Sequence, residues 1–209
     1  MSAQEAVDEF RAQLGLLVEQ CILGNLHASL ALELAEQMRI RPDVRHVAPL
    51  FFDATSNAHM LSGVLHMGRL LELGGRAKRL ETLFTFASKI PMIVQALGSG
   101  TFKSRQDADI SWLRSPNAGM ANVRAIRNKY LAHLDQNLSP DEVFKQHIVT
   151  ARELVGLYRE VLIRLNEYRR ILGIPDLALE AQGSGVVSMF ELLELGVSVR
   201  WERVPLQVT

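Results

Sequence analysis

Arg127-Asn128-Lys129-Tyr130-Leu131-Ala132-His133-Leu134-Asp135 is the one stretch of this chain whose residue types and spacing suggest chemistry. A histidine exchanges protons near neutral pH, and an arginine stays charged while presenting a planar fork of donors to an oxyanion. Together, on one helix, they could move a proton beside a developing negative charge. At roughly 100° and 1.5 Å per residue, Arg127 and His133 lie about 120° apart around the helix and about 9 Å apart along it. One copy of the stretch therefore presents a polar surface, or half a site, rather than an enclosed one. A plainer account of the same residues also stands: Arg127 and Lys129 as a solvated face, and His133 as a helix C-terminal histidine favoured by the macrodipole.

The elements that must position these residues read as helices almost throughout. Val7, Phe10, Leu14, Leu17 and Cys21 step by three and four, and apolar content continues to about Met38, with Gly24-Asn25 leaving open one kinked helix or two. After the break at Pro42, Asp43 opens a second long segment through Phe51, Phe52, Leu61 and Leu65 to Leu73, closed by Gly74-Gly75. A shorter helix is expected over Arg79 to Ser88, before Pro91 and a Gly98-Ser99-Gly100 loop. Residues Ser104 to Ser115 read as irregular or briefly helical, and the motif helix as Pro116 to about Leu134.

Ser139, Pro140 and Glu142 have the spacing of a capping box and predict the start of the final long helix. Its stripe is Phe144, Ile148, Ala151, Val155, Tyr158, Leu162 and Leu165, ended by Gly173 and Pro175. A short amphipathic helix near Val186 to Leu195 and a strand-like Val197 to Trp201 follow. The expected fold is all-α, an up-and-down bundle of four to five main helices over residues 1–172. Residues 173–209 form an extra C-terminal segment, a short helix and a candidate strand packed on the bundle.

Composition narrows the setting. With 209 residues, 48% of them apolar, the chain suits a single domain with a substantial core. Its 23 basic and 23 acidic residues balance, so any contact with a polyanion has to be local. Lys103, Arg105, Arg114, Arg124, Arg127 and Lys129 face only Asp107 and Asp109 in residues 101–129, while residues 1–37 carry six acids against Arg11. A polyanion would lie on the basic side, and an ordinary mixed surface is the alternative. Cys21 is the only cysteine, which excludes an intrachain disulfide and suits a reducing cytosol. No signal-like N-terminus and no membrane-spanning stretch is apparent, so a soluble cytoplasmic protein is expected.

Arg127-Asn128, then Ala132-His133 and Asp135, late in a helix that precedes a capped long helix, resemble the signature of the HEPN superfamily. Ala48-Pro49-Leu50-Phe51-Phe52, Gly68-Arg69-Leu70-Leu71-Glu72 and the short helix from Arg79 are similar to its abortive-infection, AbiU-like branch. The resemblance implies a homodimer through the motif helix and metal-independent RNA cleavage without a cofactor. It implies His133 as general base or acid, Arg127 as transition-state stabiliser, Asn128 as orienter and Asp135 as a supporting residue. Arg124, Lys129 and Arg114 would contact RNA, and an antitoxin protein is a candidate partner. A non-catalytic module of the same fold, binding RNA, a nucleotide or a protein, is the alternative, and a plain helical scaffold a third.

The remaining histidines point to less. His59 and His66, with Thr55, Ser62 and Arg69, make a polar stripe on the second long segment that reads as a partly exposed face, a cleft wall or a dimer contact. A metal site needs a third converging ligand, and His27, His46 and His147 are too scattered in sequence to nominate one. Trp112 and Trp201 read as packing or interface residues.

Overall fold

The computed structural model describes residues 2–73, 79–115, 117–133, 145–178 and 186–194, without the side chains of residues 96, 97, 99 and 130–133. Among the described residues the fold is all-α, with no strand. The order is α1 (Ala3–Ile40), α2 (Pro42–Val47), α3 (Pro49–Leu70), α4 (Leu80–Ala87), α5 (Pro91–Leu97), α6 (Ser99–Arg114), α7 (Ala118–His133), α8 (Ala151–Ile171) and α9 (residues 186–194).

The N-terminal helix is single. Ser2 caps it in a reciprocal box with Glu5, and Gly24-Asn25 does not interrupt it. Gly24 and Asn25 are both buried, on the stripe that also carries Phe10, Leu14, Leu17, Cys21, Ala28, Ala31 and Leu34. A helical glycine costs about 1 kcal/mol relative to alanine, which burial of one or two large apolar side chains, at about 1.5–3 kcal/mol each, outweighs. Gly24 is required there because the ring and hydroxyl of Tyr158 on α8 occupy the space its Cβ would take. Tyr158 is itself fully buried and donates to the Gly63 carbonyl of α3 at 2.6 Å. One side chain thus joins three of the core helices, α1, α3 and α8, at two glycines.

Contrary to expectation, α1 is long and apolar enough to cross a membrane by length and composition alone. Its buried stripe packs inside the bundle, with Phe10 fully buried 6.1 Å from the Phe86 ring and 5.8 Å from Tyr168, while Leu16, Ile22 and Leu23 are exposed.

Four boundaries differ from the sequence reading, the last of them the start of the final long helix. The second long segment is two helices, because Pro49 lacks an amide proton and pushes Ala48 out of the helical region, to φ −148° and ψ 62°. Pro91 begins a helix rather than ending one, since a proline at the first position forfeits only an unpaired amide. Residues 99–114 form a full helix whose pattern was disguised by a buried Asp109, standing where an apolar residue belongs between Phe102 and Leu113. Arg105 pairs with that carboxylate at 3.1 Å and Arg164 at 3.4 Å, while Tyr168 donates to it at 3.3 Å. Burial nonetheless pushes the Asp109 carboxyl above the usual carboxylate range.

The final long helix starts at Ala151, with Thr150 as N-cap and a capping box to Glu153. Ile148 precedes it and is 70% exposed, so it is no part of the buried stripe. The Ser139 to Glu142 cap and Phe144 lie outside the described residues, as do Gly74-Gly75 and the candidate strand at Val197 to Trp201. From Leu154 to Tyr168, α8 buries one face against the core. Trp112 of α6 docks on the same helix, donating to Glu160 at 2.6 Å beneath the Arg164 guanidinium, so it serves packing. A second, smaller cluster closes the far end, where Val186 and Phe190 of α9 meet Leu34, Val44 and Phe52. Arg41 reinforces that contact through Glu194 and Glu191.

Candidate active site

The motif helix α7 lies against the end of α3, and a glycine sets how closely. A Cβ on Gly68 would meet Cβ, Cγ and Cδ of Arg127 at 2.9 Å each, so the arginine stem uses the space this glycine leaves. The head of Arg127 then reaches Glu72, just beyond α3, with Nη2 donating to Oε2 at 2.7 Å. Its Nη1 donates to Asn128 Oδ1 at 3.2 Å. The second oxygen of Glu72, Oε1, pairs with Arg79 at 2.9 Å. Gly68, Glu72, Leu73, Arg124, Arg127 and Asn128 line one cavity of about 230 Å³.

Three of the expected site residues, Arg124, Arg127 and Asn128, thus come together, on spacings of three and four that share a helix face. Arg124 serves the scaffold as well. Its Nε donates to the Leu71 carbonyl at 3.1 Å and its Nη2 to that of Leu113, so it satisfies terminal carbonyls of both α3 and α6. Burial lowers the Arg124 pKa from its ordinary value.

The other expected RNA contacts stand elsewhere. Arg114 pairs with Glu81 at 2.8 Å, and Lys129 donates to Gln146 at 2.6 Å, tying α7 to the segment before α8. His133 is the last residue of α7, its side chain beyond the described set, and Asp135 lies outside the described residues.

Glu72, Arg79 and Gly68 are the site residues that the sequence reading left unassigned. No periodicity links a carboxylate after one helix to an arginine far along the chain. A glycine inside an otherwise strong helix was the only available signal of close backbone approach.

The histidine stripe on α3 has a third member that spacing concealed. His27 of α1 brings Nδ1 to 2.8 Å from His59 Nδ1 and stacks on His66 at 6.0 Å, and His66 Nδ1 meets Gln20 at 2.8 Å. Still, among the described residues no group of three or more His, Cys, Asp or Glu side chains is arranged to hold a metal ion. A bond between two ring nitrogens requires one to carry a proton and the other not, so the His27–His59 contact cannot form between two doubly protonated rings.

Burial, then neighbouring His59, lowers the His27 pKa, while burial, then Arg69 and His27, lowers that of His66. Both folded values lie below the unfolded one, so the contribution to stability is present above about pH 6.5 and is lost as pH falls through the folded values. We expect the melting temperature to drop between about pH 7 and 5, and His27→Gln to flatten that slope in thermal melts across the range.

A family model described as AbiU2 (HEPN_AbiU2) matches residues 7–186. No curated protein and no solved structure matches the chain.

Proposed function

Because this chain belongs to the AbiU2 family of HEPN domains, which is tied to abortive infection, we propose that it is a homodimeric, metal-independent endoribonuclease of phage defence. The observation that carries the reading is the placement of Arg127 and Asn128 on one cavity wall, on the helix whose last residue is His133.

In this mechanism His133 takes the proton from a ribose 2′-hydroxyl, and the freed oxygen attacks the adjacent phosphorus. The bond to the 5′-oxygen breaks, leaving a 2′,3′-cyclic phosphate, and an acid in the cleft protonates the departing 5′-oxygen to the 5′-hydroxyl. Arg127 holds the equatorial oxygens of the phosphorane through its fork, and Asn128 orients either the phosphate or the base. Arg127 and His133 sit about 120° apart on α7, and in this reading a two-fold axis beside that helix brings an arginine and a histidine to one phosphate.

The test is cleavage of a single-stranded RNA in EDTA, with solution mass measured on the same preparation. A dimer that cuts and leaves cyclic phosphate ends supports the reading. A protein that binds RNA without cutting it supports the non-catalytic module instead, and a monomer with neither property leaves only a scaffold.

A further inference from the structure

We propose that Glu72 is the positioning residue for Arg127, the carboxylate that fixes which edge of the guanidinium faces the cleft. The inference rests on the ribonuclease reading above and adds a residue to it. An arginine that must stabilise a transition state gains from being held before the substrate arrives, because a freely rotating side chain would have to be ordered during the reaction.

Arg127 is held at both ends. Its stem is confined by Gly68, where a Cβ would come within 2.9 Å of three of its carbons. Its head is fixed by the 2.7 Å bond to Glu72 Oε2. Among the described residues its buried Nε has no hydrogen-bond partner, so the head is oriented by its Nη contacts.

Glu72 is fixed in turn. Arg79 grips its other oxygen at 2.9 Å, and the three side chains are only 14–26% exposed, which limits screening of the two ion pairs. Glu72 divides its two oxygens between Arg79 and Arg127, so Arg127 is anchored through one oxygen of a shared carboxylate. A carboxylate acting this way changes how well the transition state is held more than how tightly RNA binds, because RNA affinity comes from many phosphate contacts.

The experiment compares wild type with Glu72→Ala and Glu72→Gln, the second nearly isosteric and retaining an acceptor oxygen. Single-turnover RNA cleavage should fall about 10- to 100-fold in Glu72→Ala with KM within about threefold, and Glu72→Gln should recover part of the loss. The pH profile should keep its shape, since Glu72 transfers no proton. Unchanged cleavage in a folded Glu72→Ala protein, or a change confined to KM, overturns the proposal and leaves the ribonuclease reading standing.

If wild type cuts no RNA, that reading fails, and the clamp is tested alone. The Arg127 Nε–H signal in a nitrogen–proton spectrum, assigned by its loss in Arg127→Lys, should exchange slowly in wild type and quickly in Glu72→Ala. Equal exchange in both overturns the positioning role.

Discussion

Replacing His133 with alanine is expected to lower RNA cleavage about 10²- to 10⁴-fold, the usual worth of a positioned general acid or base. Arg127→Ala should cost about 10²- to 10³-fold, as loss of a donor to a developing oxyanion does, and Arg127→Lys should restore little because an ammonium cannot present the planar fork. Both losses should fall mainly on kcat, with the dimer and melting temperature preserved for His133→Ala at the end of α7.

The decisive form of the experiment is mixing. If each cleft takes an arginine from one α7 and a histidine from the other, a dimer of one Arg127→Ala and one His133→Ala chain retains one intact pair and regains up to about half of wild-type activity. If each copy works alone, mixed dimers stay inactive. Cleavage that survives both single variants removes the motif from the chemistry altogether.

The second large effect concerns stability. Gly24→Val should destabilise the protein by about 3 kcal/mol, the upper end of what overpacking a dense core costs. The position has no room, because a Cβ there would overlap the Tyr158 ring and hydroxyl, with ring carbon Cε1 only 2.7 Å away. Tyr158 cannot swing aside cheaply, being fully buried and bonded to the Gly63 carbonyl at 2.6 Å. Losing that bond leaves a buried hydroxyl and a buried carbonyl unpaired, which adds to the steric cost. For a chain of this length the midpoint should fall by roughly 6–12 °C in a thermal melt. Gly15, whose Cβ would meet nothing within 4 Å, is the control: Gly15→Ala should be neutral or slightly stabilising through helix propensity. A Gly24→Val protein that melts like wild type would mean that the α1–α8 contact is looser than the geometry indicates.

Much of this architecture was legible in the residues. The stripe from Phe10 to Cys21, the Arg79 to Ser88 helix and the apolar face from Val155 to Leu165 appear where helical spacing placed them. Misreadings cluster where one residue broke a local rule for a tertiary reason. Asp109 hid α6 because its burial depends on Arg105 and Arg164, the second from a helix far along the chain. Gly24-Asn25 resembled a break because a glycine demanded by Tyr158 looks like a glycine demanded by a turn.

The sequence by itself determined the helical class and that Arg127, Asn128 and His133 fall late in one helix, since these follow from periodicity and residue type. Tertiary structure decided what surrounds Arg127. Glu72 and Arg79 meet it only because Gly68 lets α7 lie against α3, and His27 joins His59 and His66 only because α1 runs beside α3. Periodicity reports which face a residue occupies on its own helix. It carries no information about which other helix will face it, because that choice is made by the packing of the whole core.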